Sequence, residues 1–168
     1  MTRLTPPFLR LTCPLLGLLF MGVSLPGAAG KAPVADIHTH YKWSQQEVTS
    51  PQQVLDTLEA NGVTLAVVIG TPAEMALEID KLDPARILPV WSPYRIGGDW
   101  SRWAHDASVP QRAREALATG RYHGIGELHL IGGFIPDWRS PVISELIALG
   151  IEQDVPLMLH TEFSRNTY

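Results

Sequence analysis

The stretch "SPQQVLDTLEANGVTLAVVI" (50–69) has the pattern of one helix followed by one strand. Ser50, Pro51 and Gln53 combine a hydroxyl N-cap, a proline at the first helical position and an amide that closes a capping box. Gly62 follows the helical pattern, where a left-handed residue commonly ends a helix. The run after Gly62 is almost wholly apolar, which is typical of a strand covered on both faces of a parallel sheet. The stretch therefore predicts a helix that packs on a parallel strand.

The same alternation continues through the chain. Short apolar runs predict five strands, at 34–39, 63–69, 86–91, 123–128 and 156–160. Four helices are predicted between these strands. Strands that alternate with helices at this spacing imply right-handed βαβ units and a parallel sheet, either doubly wound or closed as a barrel. The sequence therefore predicts an α/β fold.

The other predicted helices carry similar boundary signals. Thr71–Glu74 and Ser140–Pro141 indicate capped helix starts, and Ser108 with Pro110 is a looser version of the same signal. Gly120 and Gly150 indicate helix ends.

The distribution of polar residues favours a barrel over a doubly wound sheet. A doubly wound fold usually has a glycine-rich phosphate loop after its first strand, and no such loop follows 34–39. In a barrel the functional residues lie at the carboxyl ends of successive strands, and a complete barrel takes typically ~250 residues. We therefore expect residues 31–168 to form the N-terminal part of a TIM (β/α)8 barrel, about its first five βα units. Its open sheet edges could allow chains to associate.

Residues 1–30 have the features of a secretory signal peptide. Arg3 and Arg10 precede the apolar run "PLLGLLFMGVSL" (14–25), and small residues follow it. The alternative is a membrane anchor, but the run falls short of the roughly 20 apolar residues that a span needs. We expect cleavage near residue 30, a periplasmic or secreted protein, and no stable membrane insertion after cleavage.

The composition of residues 31–168 excludes several kinds of site. The single cysteine, Cys13, lies in the predicted signal, so disulfides and thiolate metal sites are excluded from the mature chain. Two of the 13 basic residues also lie in the signal, which leaves 11 basic against 17 acidic residues, a net charge of −6. This charge argues against nucleic acid as a partner.

Side chains that can bind metals occur at the ends of three predicted strands. Asp36, His38 and His40 alternate along the first strand and are therefore expected on one face. Glu127 ends the fourth strand and His160 ends the fifth. Imidazole groups on one rim suit zinc and related metals, and Asp36 could orient a ligand histidine by accepting its second N–H. Taken singly, each residue could equally be a solvated or structural polar group.

The segments "DIHTH" (36–40), "GIGELHL" (124–130) and "PLMLHTE" (156–162) together resemble the amidohydrolase superfamily of metal-dependent TIM-barrel hydrolases. The likeness is greatest to its TatD-like and amidohydrolase-related branches. It covers the whole mature chain, and its motifs are fairly specific when they occur together.

The resemblance implies a role for each matching residue. His38 and His40 correspond to the metal pair of the first strand, Glu127 to the bridging carboxylate of the fourth, and His160 to the histidine ligand of the fifth. Such sites hold one or two divalent ions, and Zn²⁺ is the metal we expect. The implied reaction is attack of a metal-activated water on an amide, ester or lactone bond of a small-molecule substrate.

The family pattern also has a histidine on the sixth strand and an aspartate on the eighth, which usually serves as a ligand and as the general base. The sequence up to Tyr168 has no counterpart of either. Two alternatives therefore stay open: a non-catalytic metal-binding or assembly fragment without the base, and a metal-dependent decarboxylase of the same fold.

Four further residues are candidates near the same rim. His129 has the same strand parity as Glu127 and could act catalytically as a proton shuttle, or serve as an extra ligand. Trp43, Trp91 and Arg95 could line a substrate pocket, with the arginine holding a substrate carboxylate. The alternatives are that the tryptophans pack the loops and that the arginine is solvated.

Overall fold

Parallel strands alternate with helices in the computed structural model, which describes residues 32–130 and 140–160. The elements in chain order are β1 (Val34–Lys42), α1 (Trp43–Gln46), α2 (Pro51–Ala60), β2 (Val63–Thr71), α3 (Glu74–Asp80), β3 (Ile87–Val90), α4 (Val109–Ala118), β4 (Ile125–His129), α5 (Pro141–Glu152) and β5 (Leu157–His160). Two short 3-10 turns, Asp99–Ser101 and Trp103–His105, lie between β3 and α4. The predicted α/β class and parallel strands are confirmed.

The strands form two small parallel sheets, one with the order β1-β2-β3 and one in which β4 pairs with β5. Backbone contacts just beyond β3 connect the sheets. Trp91 forms an isolated parallel bridge with Ile125. The Trp91 N–H donates to the Gly124 carbonyl at 3.0 Å, and the Gly126 N–H donates to the Trp91 carbonyl at 2.8 Å. These contacts place β4 beside the end of β3, and the described residues form no closed barrel.

Two predicted helix starts occur as expected. At α2, the Gln53 N–H donates to Ser50 Oγ at 3.3 Å, and the Ser50 N–H donates to Gln53 Oε1 at 2.8 Å. At α5, the Ile143 N–H donates to Ser140 Oγ at 3.2 Å. These bonds satisfy backbone donors that a helix start leaves without partners. Local sequence is sufficient here because the cap and its partner are three residues apart.

Two other boundary predictions are wrong. Thr71 does not cap a helix: it is the last residue of β2, and α3 begins at Glu74 without a side-chain cap. Gly150 does not end α5, which continues to Glu152. A Cβ at Gly150 would lie 2.1 Å from Leu157 Cδ1, so this glycine allows α5 to pack closely on β5.

The core lies between the helices and the strands as two clusters of buried apolar residues. One includes Leu55 of α2, Val68 of β2 and Ile79 of α3. The other includes Ile125 of β4 and Leu146 of α5. Burial of these apolar side chains is the main favourable contribution to folding.

The opposite face of the strands is partly open. Ile37 is 69 % exposed. It lines an apolar pocket of about 260 Å³ together with Val67, Leu88, Val90 and Met158. This inner face therefore retains apolar surface that the described residues do not cover.

None of the helices in 32–130 and 140–160 has both the length and the hydrophobicity of a membrane span. The predicted signal peptide, residues 1–30, lies outside the described residues.

Candidate metal centre

Three side chains from β1 and β4 meet at one point. Nε2 of His38 lies 3.2 Å from Oε2 of Glu127, and Nε2 of His40 lies 3.0 Å from the same oxygen. The two Nε2 atoms lie 3.0 Å from each other. The expected convergence of His38, His40 and Glu127 is thus present in the structure.

The triangle of these three atoms has the dimensions of a metal site. Ligand atoms that each bind one zinc ion at about 2.0–2.2 Å lie roughly 3–3.5 Å from one another. The observed edges of 3.0, 3.0 and 3.2 Å agree with that spacing.

Hydrogen bonds alone satisfy this triangle poorly. If both imidazoles donated Nε2–H to Glu127, the two N–H groups of His38 and His40 would face each other at 3.0 Å with no acceptor between them. A shared cation would instead be met by three lone pairs. These two imidazole nitrogens and one carboxylate oxygen therefore fit a divalent metal as ligands, although they do not by themselves select zinc.

A second group of possible metal ligands also includes Glu127. Its other members, His129 and His160, are the last residues of β4 and β5. His160 Nδ1 contacts Oε1 of Glu127, the oxygen that the first triangle does not use. The ring of His129 stacks on that of His160, with centroids 4.7 Å apart and planes at 22°. One ligand atom from each of Glu127, His129 and His160 lies within 4.8 Å of the others. Glu127 thus offers one oxygen to each group, as a carboxylate that bridges two ions would.

Glu127 is a buried carboxylate, only 3 % exposed. Burial alone would raise its pKa, but hydrogen bonds from His160 and His38 outweigh that effect and the pKa lies below its usual value. The side chain is therefore ionised at neutral pH, which is the form that binds metal.

Two imidazoles near Glu127, those of His40 and His129, favour their neutral form. Burial lowers the pKa of both, and the nearby charge of Glu127 opposes this effect only in part. Neutral imidazole is the form that ligates transition metals. These two side chains are therefore suited to act as ligands beside the charged Glu127.

Irregularities in both ligand-bearing strands position these side chains. The register of β1 against β2 shifts between Asp36 and Thr39, and the register of β4 against β5 shifts between Ile125 and Leu128. Bulges of this kind turn side chains toward a site. The simple alternation expected for Asp36, His38 and His40 is therefore interrupted inside the motif.

Gly126 allows the close approach in β4. It has φ +146°, and a Cβ on it would lie 2.5 Å from the Met158 carbonyl oxygen of β5. Only glycine fits this combination of backbone conformation and contact. Position 126 must therefore be glycine for the backbone to place the Glu127 carboxylate in the site.

Tyr94 is a site residue that sequence reasoning missed. Its hydroxyl lies 2.8 Å from Nδ1 of His129 and accepts the His129 backbone N–H at 2.9 Å. Burial raises the pKa of the Tyr94 phenol, so it stays protonated. These two bonds hold the His129 ring at the rim, where the prediction for His129 as a catalytic residue requires it.

The cluster opens into a pocket of about 240 Å³. Its lining consists of His38, His40, Lys42, Thr71, Tyr94, Trp100, Glu127, His129 and His160. The sequence contains a signal for Lys42 as a pocket residue, because it continues the two-residue spacing of His38 and His40. The prediction ended the first strand at residue 39, whereas β1 continues to Lys42. Thr71 and Trp100 gave no comparable signal.

The residues predicted to bind substrate do not line this pocket. Trp91 is 4 % exposed and belongs to the apolar core. Trp43 lies against Gly97. Arg95 forms ion pairs with Asp99 at 3.8 Å and Asp106 at 3.6 Å. Packing and loop structure account for their contacts.

Asp36 also has a different contact from the one expected. Its Oδ1 accepts the backbone N–H of His38 at 3.0 Å. Nδ1 of His40 is buried without a partner among the described residues. Asp36 thus stabilises the irregular backbone of β1 and is not seen to orient an imidazole ring.

No family model matches the chain, and no curated protein matches it. The class of protein is therefore argued from the geometry and chemistry of the site.

Proposed function

We propose that this protein is a metal-dependent hydrolase of the amidohydrolase type, in which His38, His40, Glu127 and His160 hold one or two divalent ions, zinc being the expected metal, and His129 acts beside them. The observation that carries the proposal is the meeting of β1 and β4 side chains at ligand spacing, with Nε2 of His40 3.0 Å from Oε2 of Glu127. Two further imidazoles lie on the other side of the same carboxylate.

The proposed architecture is the first five βα units of a barrel. β1 and β4 are three positions apart in the order of neighbouring strands. In a flat sheet they would be separated by about 14 Å, since neighbouring strands lie about 4.8 Å apart. Contact between His40 and Glu127 is most simply made if the strands curve around a common axis, which supports the barrel proposal.

The chemistry divides between the metal and the chain. A bound divalent ion supplies Lewis acidity, which acidifies a water molecule and polarises the scissile carbonyl group. The ionised Glu127 joins the two groups of imidazoles and balances positive charge. His129 is held at Nδ1 by Tyr94, so its other nitrogen is available to take up or release a proton. The proposed substrate is a small molecule with an amide, ester or lactone bond.

The proposal is tested first by metal uptake. Full-length protein is stripped with a chelator and reloaded with zinc, and bound metal is counted by elemental analysis. We expect at least one ion per chain, and loss of uptake when His38 and His40 are both replaced by alanine. His105→Ala is the matched control, because it removes an exposed imidazole that lies outside the cluster.

Hydrolysis is tested separately on the zinc-loaded protein. Aryl esters, amides and lactones are compared with and without metal, and His129→Ala should lower turnover while metal content is retained. Metal uptake without any metal-dependent turnover would favour the non-catalytic metal-binding alternative.

We also propose export to the periplasm or exterior of the cell, on the basis of the sequence of residues 1–30. Cell fractionation followed by determination of the mature N-terminus tests this, and cleavage near residue 30 is expected. An uncleaved chain in the cytoplasm would contradict it.

A further inference from the structure

Lys42 places a positive charge in the pocket of the metal centre. It is the last residue of β1 and lies two residues after His40. Its Nζ lies 5.7 Å from the ring centroid of Trp100, which lines the same pocket.

The pocket contains no carboxylate that is free to neutralise this ammonium group. Glu127 is the one acidic residue in the lining, and both of its oxygens are engaged by imidazoles. No ion pair joins Lys42 to any carboxylate in 32–130 and 140–160. Once a divalent ion is bound, the lining therefore carries net positive charge.

The composition of the pocket narrows the ligand further. Trp100 offers an aromatic surface beside the charge, and Thr71 offers a hydroxyl. A single ammonium group is a point charge that can pair with one carboxylate of a ligand.

We infer that Lys42 determines specificity by binding a carboxylate of the substrate, so that the substrate class is a small carboxylate-bearing ester, amide or lactone. The reaction in this inference rests on the proposed hydrolase function. The binding of a carboxylate by Lys42 does not depend on that function. In this arrangement Trp100 packs against the part of the substrate next to the carboxylate.

The test compares two esters of the same shape. 4-Nitrophenyl succinate carries a carboxylate, and 4-nitrophenyl levulinate replaces it with a neutral acetyl group. The zinc-loaded full chain should have the higher kcat/KM for the succinate ester. Lys42→Met keeps the aliphatic stem against Trp100 and should lower that value about 10–100-fold, mostly through KM, since a hydrogen bond to a charged group contributes on that order.

Controls separate binding from a structural role. Lys42→Met should lower kcat/KM much more for the succinate ester than for the levulinate ester, and Lys42→Arg should retain the preference for succinate, because the charge remains. Lys81→Met removes the charge of an exposed lysine of the α3 end and should change neither value. An equal loss for both esters in Lys42→Met would show that Lys42 acts on the fold or the metal and would overturn the inference.

Direct binding decides the case if neither ester is hydrolysed. Calorimetry with succinate and neutral succinamide is carried out on zinc-loaded wild type and Lys42→Met, after zinc content and thermal unfolding have been compared. Succinate binding that is lost with Lys42→Met would sustain the carboxylate site while the hydrolase proposal fails. Equal binding to both proteins, or equal binding of succinate and succinamide, would refute the site.

Discussion

Two buried carboxylates, Glu127 at the end of β4 and Asp99 in the loop after β3, are compensated in different ways. Asp99 is 7 % exposed, and its Oδ2 accepts the backbone N–H groups of Arg95 and Ile96 at 2.9 and 3.2 Å. Arg95 and Arg102 add permanent positive charge nearby, at 3.8 and 3.6 Å. Asp99 is thus satisfied by its own loop.

Glu127 is more buried and has no lysine or arginine among its ion-pair partners in the described residues. Its partners are the imidazoles of His38, His40 and His160. Because a buried charge without a compensating charge is costly, the two environments predict opposite roles. Asp99 stabilises a loop, whereas Glu127 belongs to a group that could hold a metal ion, and we propose that such an ion compensates its charge.

The largest expected effect is stabilisation by metal. Zinc at about 1,000 times its Kd should raise the free energy of unfolding of the wild type by about 4 kcal/mol, because the ion binds the folded chain. Asp99→Asn should show the same increase, whereas Glu127→Gln should show about 1.4 kcal/mol or less at the same zinc concentration. Calorimetric unfolding with and without zinc measures this. An equal increase in Glu127→Gln would remove the distinction between the two carboxylates.

The next effect concerns metal affinity. Glu127→Gln replaces a charged oxygen donor shared by both groups, and we expect zinc affinity to fall about 100-fold or more, since even residues that only support a ligand affect affinity by about 10–100-fold. Asp99→Asn should leave affinity within about twofold. Competition with a chromogenic chelator measures both values, and a similar loss in the two variants would contradict separate roles.

A smaller effect is expected on the stability of the metal-free protein. Asp99→Asn removes the charge that two backbone N–H groups and two arginines contact, and should lower the free energy of unfolding by about 1–3 kcal/mol. Glu127→Gln should lower it by less, because burial of the Glu127 charge offsets part of what the hydrogen bonds from His160 and His38 contribute. Denaturant unfolding in the presence of a chelator measures the stability of both variants. If Glu127 is a structural carboxylate like Asp99, the two variants will lose a similar free energy of unfolding.

The smallest effect is a pH dependence in the same loop as Asp99. Hydrogen bonds from the Ser108 hydroxyl and backbone N–H lower the pKa of Asp106, with help from Arg112 and Arg95. A lowered folded-state pKa contributes stability above the unfolded pKa, and that contribution is lost as the pH falls through the folded pKa.

Asp106→Asn should therefore be less stable than wild type at pH 7 by under about 1 kcal/mol, because the side chain is partly exposed. The difference should begin to shrink near the usual aspartate pKa of 3.8 and disappear only below the lower pKa of the folded state. Unfolding of both proteins between pH 7 and pH 3 measures it. A difference that grows in acid would mean that the sign of the pKa shift is wrong.

Prediction from sequence succeeded where the physical cause is local. The caps at Ser50 and Ser140 involve partners three residues away, and the strands follow from short apolar runs. Thr71 has an equally good local signal, but β2 extends through it and it is only 3 % exposed. Gly150 also has a local signal for a helix end, but α5 continues to Glu152.

For the site, the sequence alone identified the ligand types and their places at strand ends, because imidazole and carboxylate chemistry is a property of the side chain. Only the tertiary structure decided which atoms meet, and it added Tyr94, Lys42 and Trp100 while leaving Trp91 in the core. The physical reason is that irregularities in β1 and β4 and the packing of the loop after β3 orient these groups, and the contacts of the site join residues as far apart in the chain as His38 and Glu127.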